Sequence, residues 1–113
     1  MLQVLGKDCI LHSVRSATEA KEFLHVSSSD MLISEVVLPL ESGLELCRYV
    51  RSTPMLDAMP VMLLTSCATL EDKVAGFQSG ADDYVVKPFD AHHLIARIRL
   101  LARIKRLEQH TRI

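Results

Sequence analysis

Three polar residues follow apolar runs of strand length, and their types suit the handling of a phosphoryl group. Glu35 follows Met-Leu-Ile-Ser, Thr65 ends the run Val-Met-Leu-Leu-Thr just before Ser66, and Lys87 follows Tyr-Val-Val. A carboxylate can act as a nucleophile or a metal ligand, whereas a hydroxyl and an ammonium can bind phosphate oxygens. Residues of these types are also ordinary at strand ends. Position alone therefore leaves open both a phosphoryl site and three unrelated polar residues.

The elements that must position these residues alternate along the chain. Nearly continuous apolar runs predict four strands that are buried on both faces, at residues 9–14, 31–37, 60–65 and 84–86. Helix-start signals lie between them: Ser16 and Ser42 each precede a glutamate by three positions, and Thr69 and Asp90 could cap two later helices. This order predicts an α/β fold with a parallel sheet, whose strands end along one shared edge.

Composition limits the class of protein. The 113 residues carry a formal net charge of -1 and are 49% hydrophobic, so we expect a single globular domain over residues 1–113. No apolar run approaches the roughly 20 residues that span a bilayer, and no signal peptide is evident, so we expect a cytoplasmic protein without a membrane partner. The three cysteines and five histidines suggest neither a disulfide framework nor a metal site.

The carboxyl-terminal segment is basic and predicts a long amphipathic helix over about residues 91–109. Six of the thirteen basic residues fall in the last seventeen positions: Arg97, Arg99, Arg103, Lys105, Arg106 and Arg112. We interpret them as the solvated face of this helix, where cations also suit the helix dipole. We do not expect nucleic-acid binding by this domain alone, because no aromatic residues accompany the charges.

Three segments resemble the receiver (CheY-like) domain of two-component response regulators: SEVVLPLESGLELCRYVR, PVMLLTS and GADDYVVKPF. The steps of 30 residues from Glu35 to Thr65 and 22 from Thr65 to Lys87 match the family's spacing. The resemblance implies a flavodoxin-like sheet with helices on both faces. It also implies that Glu35 occupies the phosphoacceptor position, that Thr65 and Tyr84 are the switch residues, and that Lys87 contacts phosphate through a loop with a cis Lys87-Pro88 bond.

Two departures from the family pattern bear on function. The family's phosphoacceptor is aspartate, whereas this chain has Glu35, whose longer side chain displaces the carboxylate from the geometry of in-line attack. The family's Mg²⁺-binding acidic pair would lie before Met1, together with the first strand and most of the first helix, which leaves a truncated domain of four βα units. Without those carboxylates Mg²⁺ has too few ligands. We therefore expect no cofactor, no metal and no catalytic residue, and we do not expect an enzyme.

Plainer interpretations of the same residues remain open. Glu35 and Lys87 could form an ion pair that is no more than a polar strand end, or one that imitates the phosphorylated state. Thr65 and Tyr84 could be residues at the edge of the core rather than a switch.

Association is expected on two grounds. In the family's strand order the missing strand lies inside the sheet, and the unpaired edges that it leaves favour pairing with a second copy, through Ile10 or Val14. The resemblance also implies a dimer surface made by the last two helices and the strand between them. We expect interface residues there, namely Asp83, Arg97, Ile98 and Leu101, with Asp83 and Arg97 matching a cross-chain salt bridge.

Three functional hypotheses follow. The first is a non-phosphorylatable pseudo-receiver that acts in signalling or protein interaction, as a homodimer and with a histidine kinase or an output domain as possible partners. The second is a phosphoacceptor receiver in a phosphorelay, represented by a truncated chain. The third, an unrelated enzyme on a similar sheet, is disfavoured because the chain has no nucleophile-base pair and no glycine-rich phosphate loop.

Overall fold

A computed structural model describes residues 12–27, 29–38 and 40–111, with side chains described as far as Lys105. Its helices and strands are, in chain order, α1 (Ala17–Val26), β1 (Leu32–Glu35), β2 (Val37–Leu38), β3 (Glu41–Ser42), α2 (Gly43–Ser52), β4 (Val61–Thr65), α3 (Leu70–Gln78), β5 (Asp83–Val86) and α4 (Ala91–Thr111). Within this part of the chain no helix is long and apolar enough to cross a bilayer.

Three strands form a parallel sheet in the order β1-β4-β5. Leu32 lies opposite Val61, and Met62 lies opposite Asp83. All five residues of the central strand β4 are buried, as a strand covered on both faces requires. The predicted strands at 60–65 and 84–86 are therefore confirmed to within a residue or so at each end.

The predicted strand at 31–37 is divided into two. The parallel strand ends at Glu35, and β2 then turns away to form an antiparallel pair with β3. Leu40, in the turn between them, has a positive φ of 59°. The prediction of one continuous strand was wrong because an apolar run does not show where the pairing partner changes.

The predicted strand at 9–14 lies mostly outside the described residues, as does the proposed contact residue Ile10. The described part, residues 12–14, belongs to no helix or strand. Val14 is exposed over 41% of its surface.

All four predicted helix caps are confirmed. The side chains of Ser16, Ser42 and Thr69 accept hydrogen bonds from the backbone N–H groups at the starts of α1, α2 and α3. The Asp90 carboxylate accepts from the N–H groups of His92 and His93, at 2.7 and 3.3 Å, where α4 begins. These acceptors satisfy N–H groups that have no partner inside a helix.

Helices cover both faces of the sheet, as predicted. On one face Val61 and Leu63 pack with residues of α1 and α2, including Leu24, Cys47 and Val50. On the other face Met62, Leu64 and Val85 pack against Leu94 and Leu101 of α4. Alternate residues of β4 thus serve two separate apolar clusters, and this packing fixes the sheet whose carboxyl edge carries the candidate site.

Candidate functional site

The carboxyl edge of the sheet brings together the three residues singled out by type. Glu35 ends β1, Thr65 ends β4, and Lys87 follows the last residue of β5. The Lys87 ammonium donates to Glu35 Oε1 in an ion pair, so the predicted pair is confirmed. The two side chains are 36% and 52% exposed, and solvent reaches both. A pair so open to water stabilises the fold by only about 0.2–1 kcal/mol, so its main effect is to hold the carboxylate in place.

Backbone contacts fix the position of Glu35. The N–H of Val36 donates to the carbonyl of Leu64 at 3.0 Å, and the N–H of Gly43 donates to the carbonyl of Val36 at 2.7 Å. A Cβ atom on Gly43 would lie 2.0 Å from the carbonyl oxygen of Glu35. Only glycine therefore lets the start of α2 come this close to the end of β1.

Thr65 and Tyr84 lie just beneath the edge and share a partner. Thr65 Oγ1 accepts from the N–H of Cys67 at 3.1 Å, and the Tyr84 hydroxyl donates to the Cys67 carbonyl at 2.9 Å. Both residues are buried, with exposures of 4% and 7%. Burial raises the pKa of the Tyr84 hydroxyl, and a hydrogen bond with Thr65 partly opposes that effect. Their role as a switch stays a prediction.

Gly76 makes room for Tyr84. A Cβ atom at this position on α3 would lie 2.6 Å from the Tyr84 ring, whose other side-chain contacts include the ring of Phe77 at a centroid distance of 6.4 Å. The sequence analysis missed this role, because a glycine inside a helical pattern does not identify what packs against it.

The loop after β5 brings Lys87 to the edge. The Lys87-Pro88 peptide bond is cis, as the resemblance implied. The N–H of Lys87 donates to the Thr65 carbonyl at 2.7 Å and ties the loop to the end of β4.

A second carboxylate, that of Glu41 on β3, accepts hydrogen bonds from the start of α1. Its oxygens accept from the N–H of Ala17 at 2.7 Å and from the hydroxyl of Thr18 at 3.1 Å. A carboxylate is well placed at the positive end of a helix dipole. The sequence analysis did not find this contact, since the partners are more than twenty residues apart and match no local motif.

The residues at this edge fit a divalent cation poorly. Glu35 is the carboxylate that faces the site, and Lys87 already neutralises it. Among the described residues no group of three or more His, Cys, Asp or Glu side chains could hold a metal ion. Mg²⁺ needs several oxygen ligands in near-octahedral geometry. The expectation that the protein binds no Mg²⁺ remains a prediction.

The residues expected at a dimer surface make contacts within the chain instead. Asp83 and Arg97 pair with each other inside the chain, with Arg97 Nε donating to Asp83 Oδ2 at 2.8 Å. This contact raises the pKa of Arg97. Ile98 is partly buried against the α4 cluster, and Leu101 is 7% exposed within it. The burial of Leu101 argues against an interface role, because little of its side chain remains for a partner.

Comparison with known proteins gives one consistent family. The family model for the response regulator receiver domain matches residues 1–99. Response regulator MprA of Mycobacterium ulcerans is 42% identical over 90 residues, which are 80% of this chain and 38% of that protein. Transcriptional regulatory protein GltR of Pseudomonas aeruginosa is 39% identical over 93 residues, 82% of this chain and 38% of that protein. The chain thus spans about two fifths of the length of these relatives.

Solved structures agree on the fold. The signal receiver domain of a signal transduction histidine kinase from Syntrophus aciditrophicus is 32% identical, with a TM-score of 0.81, over 90% of this chain and 78% of that one. The BeF3-activated N-terminal receiver domain of Klebsiella pneumoniae RstA is 28% identical, with a TM-score of 0.79, over 90% and 86%. The fold is therefore the flavodoxin-like fold of receivers, and the chain belongs to the response regulator receiver domain family.

Proposed function

We propose that this chain is a pseudo-receiver, a signalling or interaction module that does not accept a phosphoryl group. The observation that carries the proposal is the ion pair between Lys87 and Glu35. By the resemblance, Glu35 stands at the phosphoacceptor position, so the pair supplies a carboxylate and its counter-charge there. In this proposal the pair holds the domain in one state. A partner reads that state through the surface around Tyr84 and α4.

The length of the glutamate side chain supports the proposal. Backbone hydrogen bonds and the close approach of Gly43 fix the end of β1, so the backbone cannot retreat to offset one extra methylene. A displacement of about 1 Å from the reacting geometry can lower a rate about 100-fold. Within the part of the chain that the structure describes, no group of three or more His, Cys, Asp or Glu side chains could hold Mg²⁺. Without that ion the developing charge of phosphoryl transfer lacks its usual counter-ion.

A phosphoacceptor receiver is the second candidate, and the comparisons favour it equally. The relatives are response regulators. By the resemblance, Thr65 and Lys87 stand at the family's hydroxyl and lysine positions. The Glu35 side chain is 52% exposed, so a small phosphodonor could reach it. For this candidate a histidine kinase is the expected donor and an output domain the expected recipient of the signal.

Beryllofluoride, which imitates a phosphoryl group on a carboxylate, distinguishes the candidates. The pseudo-receiver predicts no bound species by fluorine NMR in the presence of Mg²⁺, and no change at the amides of Thr65 and Lys87. A bound signal that disappears in Glu35→Gln but persists in Glu22→Gln would favour the phosphoacceptor. Glu22 is a matched control because it is an exposed glutamate on α1.

The proposal includes a homodimer, for which α4 is the proposed surface. Leu100 and Ile104 lie one turn apart on its outer side and are 49% and 42% exposed. Burying them against a second copy would remove apolar surface from water. Light scattering should show a mass that rises with concentration, and a constant monomer mass would contradict this part.

A cytoplasmic location, the absence of catalysis and no nucleic-acid binding by this domain alone belong to the same proposal.

A further inference from the structure

Asp82, just before β5, joins three elements at the edge of the sheet opposite the candidate site. Its Oδ2 accepts from Arg51 Nη2 at 2.6 Å and from the N–H of Val61 at 2.9 Å. Its Oδ1 accepts from the Lys105 ammonium on α4 at 2.9 Å. The Asp82 side chain is only 18% exposed. The carboxylate thus connects α2, β4 and α4.

Arg51 keeps Asp82 in place without help from α4. Besides its bond to Asp82, this guanidinium donates from Nε to the Gly80 carbonyl at 2.8 Å and from Nη1 to the Met59 carbonyl at 2.6 Å. The planar guanidinium donates to several acceptors at once, so it keeps most of its hydrogen bonds when one neighbouring group moves. If Lys105 left, Asp82 would therefore still have a charged partner and a backbone donor.

The part of helix α4 up to Leu101 and the part after it are held to the domain by different contacts. Its first half buries Leu94 and Leu101 in the core and adds the two-point contact between Arg97 and Asp83. Past Leu101, Ala102 is partly buried, and Arg103 and Ile104 are exposed. Lys105 then returns to the domain through its ion pair with Asp82, and its side chain is 20% exposed.

We infer that the Lys105–Asp82 ion pair is a latch that holds the turn of α4 after Leu101 on the domain. It opens locally while Asp82 stays bound to Arg51 and the rest of the fold stays intact. Asp82 of this latch directly precedes β5, and Lys87 of the Glu35–Lys87 pair directly follows the same strand. The inference goes beyond the proposed function, and it holds whether or not Glu35 accepts a phosphoryl group.

Amide hydrogen exchange of residues 102–105 tests the latch. In Lys105→Met, which keeps the apolar stem, we expect these amides to exchange about fivefold faster, as loss of a partly buried ion pair worth about 1 kcal/mol requires. The amides of β4 should be unchanged. Arg103→Met removes the same charge at an exposed position of the same turn and should behave as wild type.

A double-mutant cycle isolates the pair from other contacts of either residue. Asp82→Asn should speed the same amides, and Lys105→Met should accelerate them less in Asp82→Asn than it does in wild type. Additive effects of the two substitutions, or an unchanged rate in Lys105→Met, would overturn the inference. Equal acceleration of the β4 amides in Lys105→Met would also overturn it, because that substitution would then weaken the whole fold rather than open a latch.

Discussion

Replacing Gly43 by alanine should destabilise the fold and disturb the end of β1. The added Cβ would lie 2.0 Å from the Glu35 carbonyl oxygen and 3.0 Å from the Val36 Cα atom, and both neighbours are backbone atoms. Ordinary contact distances are about 3.5 Å, so the overlap is severe and no side chain can rotate away to relieve it. We expect a cost of about 3 kcal/mol. The helix preference of alanine offsets at most about 1 kcal/mol, which leaves about 2 kcal/mol.

Urea denaturation and thermal melting measure this change. A loss of about 2 kcal/mol is a large part of a stability of about 5–15 kcal/mol, and it should lower the Tm by roughly 10 °C. Arg48→Ala is the matched control, because Arg48 is exposed on the same helix and should change stability by less than about 0.5 kcal/mol. If Gly43→Ala is as stable as wild type, the account of how α2 fixes Glu35 is wrong.

Three further predictions concern Tyr84, Mg²⁺ and α4. Burial raises the pKa of the Tyr84 hydroxyl in the folded state, so the neutral hydroxyl should contribute its full stability below the unfolded pKa of about 10. That contribution should be lost as the pH rises through the folded pKa. Ultraviolet titration of wild type and Tyr84→Phe measures the folded pKa, and an ordinary value would show that this is wrong. Millimolar Mg²⁺ should leave the Tm unchanged, since a ligand that does not bind cannot stabilise, and a saturable rise would show a site. Leu101→Asp should unfold the chain, because Leu101 is buried, whereas Leu100→Asp should leave it folded and weaken self-association. Circular dichroism measures folding and light scattering measures association. Equal effects of the two substitutions would contradict the assignment of Leu101 to the buried side of α4 and Leu100 to the exposed side.

Much of the fold could be predicted because its signals are local. The unbroken apolar run that ends at Thr65 corresponds to a strand buried on both faces, and Ser16, Ser42, Thr69 and Asp90 cap helices where their side chains can reach nearby N–H groups. Parallel strands share a carboxyl edge, so the meeting of Glu35 with Lys87 also followed from the order of elements.

The remaining features depend on contacts between distant parts of the chain. Nothing near Glu41 indicates that it caps α1, and nothing near Asp82 indicates that Arg51 and Lys105 converge on it. The interface role expected of Leu101 likewise failed, because an apolar residue on a helix can face either a partner or the core, and Leu101 is only 7% exposed. Such assignments require the tertiary arrangement, which periodicity along one element does not contain.

The central claim is that Glu35 does not accept a phosphoryl group, and incubation with acetyl phosphate or phosphoramidate and Mg²⁺ tests it most directly. Intact-mass spectrometry of the whole chain should show no added phosphoryl group, because the Glu35 side chain is one methylene longer than aspartate and its carboxylate is paired with Lys87. A mass increase of one phosphoryl group in wild type that is absent in Glu35→Gln and present in Glu22→Gln would contradict the account and identify a working phosphoacceptor.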